Sequence, residues 1–122
     1  MEVLYETFFE YPNCTTCKRA KKFLKEHEID FKEINLKEET PTKAQLELVQ
    51  GYMGMKRLFN TSGKTYRDLN LKENFSSLSV EDAIEMLVND GSLIKRPILI
   101  DEENEVFLIG FKENEWQILL KK

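Results

Sequence analysis

Apolar positions along the chain change period several times, and each change marks an element. Val3 to Phe9 mixes β-branched and aromatic residues and runs out at Pro12, which predicts a strand entering a loop. From Thr15 to Glu28, Cys17, Ala20, Phe23, Leu24 and His27 share one face at helical spacing. Lys18, Arg19, Lys21, Lys22 and Lys25 take the other, so the pattern predicts an amphipathic helix with a solvated basic face. Ile29 to Leu36 reads as a second strand, with Ile34 and Leu36 on one side. A helix then opens at Thr40-Pro41, proline suiting the first helical position, with a Thr42/Gln45 capping box as the alternative start. Its apolar side continues through Leu46, Val49 and Met53 until Gly51 and Gly54 interrupt it. Lys56 to Leu71 fits two short helices broken at Ser62-Gly63. Ser79 to Asp82 caps a further helix with a stripe of Ala83, Ile84, Leu87 and Val88, closing at Asn89-Asp90-Gly91. The last third returns to strands. Ile98 to Ile100 and Val106 to Ile109 flank a polar turn, and Lys112 to Leu120 forms a closing helix with Trp116, Leu119 and Leu120 inward.

A parallel strand–helix–strand unit places its crossover helix on one face, and a following hairpin extends the sheet antiparallel. The expected fold is therefore α/β, a thioredoxin-like sandwich. Its four-stranded mixed sheet is flanked by helices, with a helical insertion at about residues 41–90 between the second and third strands. At 122 residues, with no internal repeat or linker, the chain is expected to be a single domain, 1–122.

Composition narrows the classes. Apolar content of 41% is too high for disorder, and a net charge of −4 argues against direct nucleic-acid binding, which needs clustered cations. No apolar stretch approaches a membrane span, and no basic-then-apolar leader opens the chain. A cytoplasmic protein without membrane association is expected, and a monomer.

Both thiols lie in Cys14-Thr15-Thr16-Cys17, between the first strand and the first helix. A cysteine at the first turn of a helix faces unpaired backbone N–H groups, here those of Thr15 and Thr16, and the positive end of the helix dipole. In such motifs the thiol pKa falls from about 8.5 to roughly 3.5–7.5, giving a nucleophile at neutral pH. Cys14 is thus the expected nucleophile, and Cys17, one turn on, the resolving thiol of a redox-active disulfide. The alternatives are a buried structural pair or half of a zinc site. Zinc usually takes four N or S ligands, and the chain offers two Cys and His27, so no metal is expected. His27 reads as a helix-end residue rather than a general base.

A second feature is Arg96-Pro97, immediately before the third strand. An X-Pro bond can be cis, and in that form would project Arg96 toward Cys14, where a guanidinium supports a thiolate and binds an oxyanion bidentately. Pro97 would then shape the wall where a substrate docks. Alternatively, Pro97 only ends the preceding helix and leaves Arg96 on the surface.

On these residues the chain resembles the arsenate reductase/Spx (ArsC-like) family. The resemblance covers nearly the whole length and rests on Tyr11 to Lys18, the helical insertion, Arg96-Pro97-Ile98 and Gly110-Phe111-Lys112-Glu113. It implies a thiol-dependent oxidoreductase of the arsenate reductase type, acting on a small oxyanion or disulfide. Cys14 would be the nucleophile and Arg96 one of three oxyanion-holding arginines. No cofactor would be bound, and a redox protein partner, glutathione/glutaredoxin or thioredoxin, would supply electrons. The other two arginines do not carry over; their places fall near Asn60 and Gly110, although Arg57 and Arg67 lie close by in sequence. Losing two such donors weakens oxyanion binding, each charge-assisted hydrogen bond contributing on the order of 1.5–3 kcal/mol. Cys17 points to a second branch. Spx-type regulators carry CxxC as a redox switch and bind the C-terminal domain of the RNA polymerase α-subunit. For this chain the insertion around Gly51 to Arg57 would make that contact. The sequence stops at Leu120-Lys121-Lys122 without the extended basic tail associated with those regulators, which favours the enzyme. A third possibility is a binding module that has lost its chemistry.

Overall fold

The computed structural model of the protein describes residues 6–121. Four strands form one mixed sheet in the order β2-β1-β3-β4: β1 (Glu6–Glu10), β2 (Phe31–Asn35), β3 (Ile98–Asp101) and β4 (Val106–Ile109). β1 and β2 run parallel, joined by helix α1 (Thr15–Glu26), while β3 is antiparallel to both β1 and β4. This is the expected thioredoxin-like arrangement. The part of the first predicted strand at residues 3–5 lies outside the described residues.

The chain divides into two compact units, Met1–Asn35 with Arg96–Lys122, and Leu36–Lys95. In the first, Phe8, Leu99 and Leu108 are register partners across three strands, so their side chains share one face. Ala20, Phe23 and Leu24 of α1 cover that face together with Trp116 and Leu119 near the carboxyl end. Burying each large apolar side chain here is worth roughly 1.5–3 kcal/mol. Trp116 is fixed by edge-on contacts with Phe8 and Phe111, and its indole N–H donates to the Gly110 carbonyl at 3.0 Å. The closing helix is shorter than expected. α6 spans only Glu113–Trp116 and tightens into a 3-10 turn over Gln117–Lys121. The tighter winding turns Leu120 outward, 47% exposed, where the sequence pattern placed it inward.

The second unit carries the helices between β2 and β3. These are α2 (Lys43–Met53), α3 (Lys64–Asp68), α4 (Leu71–Asn74) and α5 (Val80–Asn89), with 3-10 turns between them. α2 begins at the alternative start. Thr42 and Gln45 satisfy each other's backbone N–H at 3.1 and 2.9 Å, which leaves Pro41 outside the helix. Gly51 does not interrupt α2, which runs through to a cap at Gly54 with φ +88°. Lys43 and Glu85 form an ion pair at 2.5 Å between α2 and α5. Phe59 meets Phe75 edge-on, and a backbone bridge joins Phe59 to Ile94.

Candidate active site

Glu10 ends β1, and the chain turns through Tyr11-Pro12-Asn13 to reach α1. Asn13 adopts φ +63°, a left-handed conformation that asparagine tolerates better than most residues. Cys14 is the N-cap of α1 with extended backbone angles, and its sulfur accepts the Cys17 backbone N–H at 3.2 Å. Asparagine, aspartate or serine commonly fills such a position. Here the acceptor is sulfur. The sequence pointed to the N–H groups of Thr15 and Thr16; the N–H that reaches Cys14 belongs to Cys17. Among the described residues both cysteines are free thiols, Cys14 half-buried and Cys17 fully buried. Burial, and next the hydrogen bond with Cys14, push the Cys17 thiol up to about 12; the Tyr11 backbone pulls the other way.

Arg96 enters β3 through a cis bond to Pro97, and its guanidinium carbon lies 4.3 Å from the centre of the Tyr11 ring. A cation over an aromatic face at that distance is attractive. The stack ties Arg96 to the loop that carries Cys14. Behind it, the Gly110 N–H donates to the Pro97 carbonyl at 2.8 Å, and Gly110 sits at φ +70°, where glycine is unstrained. In the second unit Arg57 is exposed, and Arg67 donates to the Ser62 carbonyl at 2.7 Å. His27 caps the carboxyl end of α1 with its ring 4.4 Å from that of Phe23. Among the described residues no group of three or more His, Cys, Asp or Glu side chains could hold a metal ion, and no helix is long and apolar enough to cross a membrane.

Sequence reasoning missed a charged cluster beside the cysteines. The helical pattern places Lys21 on the solvated face of α1. Its ammonium instead bridges Glu10, at 3.5 Å, and Glu33 of β2 in a still shorter contact. Glu10 and Glu33 are joined by a side-chain hydrogen bond. Burial and the Glu33 partner raise the Glu10 carboxyl to about 7, while the hydrogen bond to Glu10 holds Glu33 below the usual carboxylate range. No local signal joins the three, because they come from β1, α1 and β2.

A parallel–antiparallel sheet with a free CxxC pair at the amino end of its first helix defines a thioredoxin-fold thiol protein. The profile of the ArsC family matches residues 9–119, and the chain belongs to that family. It is 43% identical to the uncharacterized protein YusI of Bacillus subtilis, over 91% of this chain and 94% of that one. With the global transcriptional regulator Spx of Enterococcus faecalis it shares 33% identity over 89% of this chain and 81% of the regulator. The crystal structure of a possible arsenate reductase from Streptococcus mutans superposes with a TM-score of 0.82 at 38% identity, covering 90% of this chain and 93% of that one.

Proposed function

We propose that the protein is a thiol–disulfide oxidoreductase of the arsenate reductase-like type, with Cys14 as nucleophile and Cys17 as resolving thiol. The observation that carries this is the Cys14 sulfur in the N-cap position, accepting the Cys17 N–H at 3.2 Å with the second thiol one turn away. An anionic sulfur there meets the positive end of a three-turn helix. Cys14 attacks an oxyanion or one sulfur of a disulfide. Cys17 then attacks Cys14, forming the intramolecular disulfide and releasing the reduced substrate. Thr15 and Thr16 contribute backbone N–H groups to the anion, Arg96 contributes charge-assisted donors, and Pro97 lines the docking wall. Glutathione with glutaredoxin, or thioredoxin, restores the dithiol in the cytoplasm. Turnover of arsenate and of a model disulfide with each donor tests the reading, comparing wild type with Cys14→Ser, Cys17→Ser and Arg96→Ala. Loss of activity in Cys14→Ser is expected; full activity there removes the nucleophile.

The likeness to Spx favours a second reading, a redox-responsive regulator that binds the C-terminal domain of the RNA polymerase α-subunit. On this reading, formation of the Cys14–Cys17 disulfide changes the complex rather than accompanying the reduction of a substrate. A pull-down with that domain, run reduced and oxidised, separates the two. A complex whose yield depends on redox state supports the regulator; no complex in either state leaves the enzyme.

A further inference from the structure

A buried thiol held near 12 cannot attack until something removes its proton, and the proposed resolving step gives that task no agent. Glu10 lies where one is needed. Glu10 immediately precedes Tyr11, whose backbone hydrogen-bonds Cys17, and its carboxylate contacts the ammonium of Lys21, one turn after Cys17 on α1, at 3.5 Å. Its charge is felt at Cys17, where it adds to the rise of the thiol. We propose that Glu10 is the proton acceptor for Cys17 in the resolving step, with Lys21 and Glu33 setting its proton affinity. The inference rests on the oxidoreductase reading above.

The step balances. With Cys14 joined to a substrate sulfur as a mixed disulfide, the Cys17 S–H proton passes to the Glu10 carboxylate. The Cys17 sulfur attacks Cys14 Sγ, the Cys14–Cys17 bond forms, and the substrate thiolate leaves with the bonding pair. Glu10 returns the proton to that thiolate or to water. Two protein thiols are oxidised and one substrate disulfide is reduced to two thiols.

The groups facing Glu10 define its titration. Lys21 and Cys17 approach from α1, and Glu33 from β2 with Lys25 acting on it in turn; beside them Arg96, entering β3, stacks on Tyr11. Glu33 holds the Glu10 proton on and Lys21 drives it off, so the two together set the pH at which Glu10 becomes a free carboxylate.

A small aromatic disulfide that releases a coloured thiolate tests this on the full-length reduced protein. Each molecule releases one thiolate when Cys14 attacks and a second when Cys17 resolves, and the two phases are timed by stopped flow. For wild type the second phase is expected to accelerate as pH rises through about 7 and then level off. Glu10→Gln should slow it on the order of 10²-fold and abolish that limb, while Glu10→Asp retains a limb. Glu33→Gln should move the limb down in pH and Lys21→Met should move it up. A group that merely supports the fold would produce no such opposed shifts. The sign is informative, because a carboxylate acting only through its charge raises the Cys17 thiol. Its loss would then speed resolution. A second phase in Glu10→Gln as fast as or faster than wild type, with the first phase intact, overturns Glu10 as proton acceptor. A wild-type protein with no first phase overturns the oxidoreductase reading itself.

Discussion

The backbone N–H of Cys17 donates to the sulfur of Cys14, so each cysteine defines the setting of the other. The first sits half-open at a helix cap; the second is buried one turn behind it and meets that sulfur through its own backbone. The asymmetry is compatible with the proposed attack-then-resolve sequence, and it can be measured.

Alkylation at neutral pH should label one thiol. Cys14 reacts with iodoacetamide first, and Cys17, with no exposed surface and a thiol pushed up to about 12, follows only on unfolding. Peptide mass spectrometry after a timed quench reads this directly. Rapid labelling should vanish in Cys14→Ser and persist in Cys17→Ser.

Arg96 should favour anions at the cysteine loop. Iodoacetate and iodoacetamide differ mainly in charge, so their rate ratio at Cys14 isolates the guanidinium. Arg96→Ala is expected to lower the ratio by roughly tenfold, the equivalent of about 1.4 kcal/mol and close to one charge-assisted hydrogen bond. Tyr11→Ala, which removes the ring under the guanidinium, should lower it less. An unchanged ratio in Arg96→Ala would mean that the arginine leaves the sulfur unattended.

Stability should fall in two windows of pH. The Cys17 thiol is raised in the folded state from 9.0 to about 12, so the folded protein holds that proton more tightly. The Cys17 contribution is complete below pH 9 and declines as pH rises toward 12, by about 3 kcal/mol at pH 11. Glu10 is raised from 4.5 to about 7, so a smaller decline, about 1 kcal/mol after solvent screening, runs from pH 4.5 to 7. Chemical denaturation at stepped pH measures both. Cys17→Ala should remove the alkaline decline and Glu10→Gln the acidic one.

Two glycines should respond in opposite directions. A methyl group at Gly51, inside α2, meets nothing within 4 Å, so Gly51→Ala should stabilise by about 0.4–1 kcal/mol. At Gly91 the same methyl would lie 2.2 Å from the Leu36 carbonyl oxygen, and the backbone would have to move. Gly91→Ala should destabilise by about 1–3 kcal/mol. Urea midpoints for the two variants settle the pair.

The fold was legible because its signals are local. Strand-like runs, the Ser79 cap and the stripe of α1 each occupy a few neighbouring residues, and topology rules leave few ways to join them. Position 41 shows where local signals compete. Proline suits a helix start, but the reciprocal Thr42–Gln45 bonds satisfy two N–H groups and displace the start by two residues. Leu120 departs from its pattern because a sustained 3.6-residue winding would turn it inward, whereas the chain tightens after Trp116. In the site, Cys14, Cys17 and Arg96 could be named from spacing. Glu10, Lys21 and Glu33 could not, since they meet only when β1, α1 and β2 have packed, and a lysine among five cations on one face reads as solvated. Tyr11 under Arg96 was hidden for the same reason, its partner being 85 residues further along the chain.

Trp116 is the only tryptophan in the sequence, and it lies in the unit built around the sheet. Its emission therefore reports solvent entry at the Phe8–Phe111 cage within that unit. Far-ultraviolet dichroism, by contrast, is weighted toward the helices of residues 36–95. Recording both signals in one melt would show whether the halves of the polypeptide come apart together or in sequence.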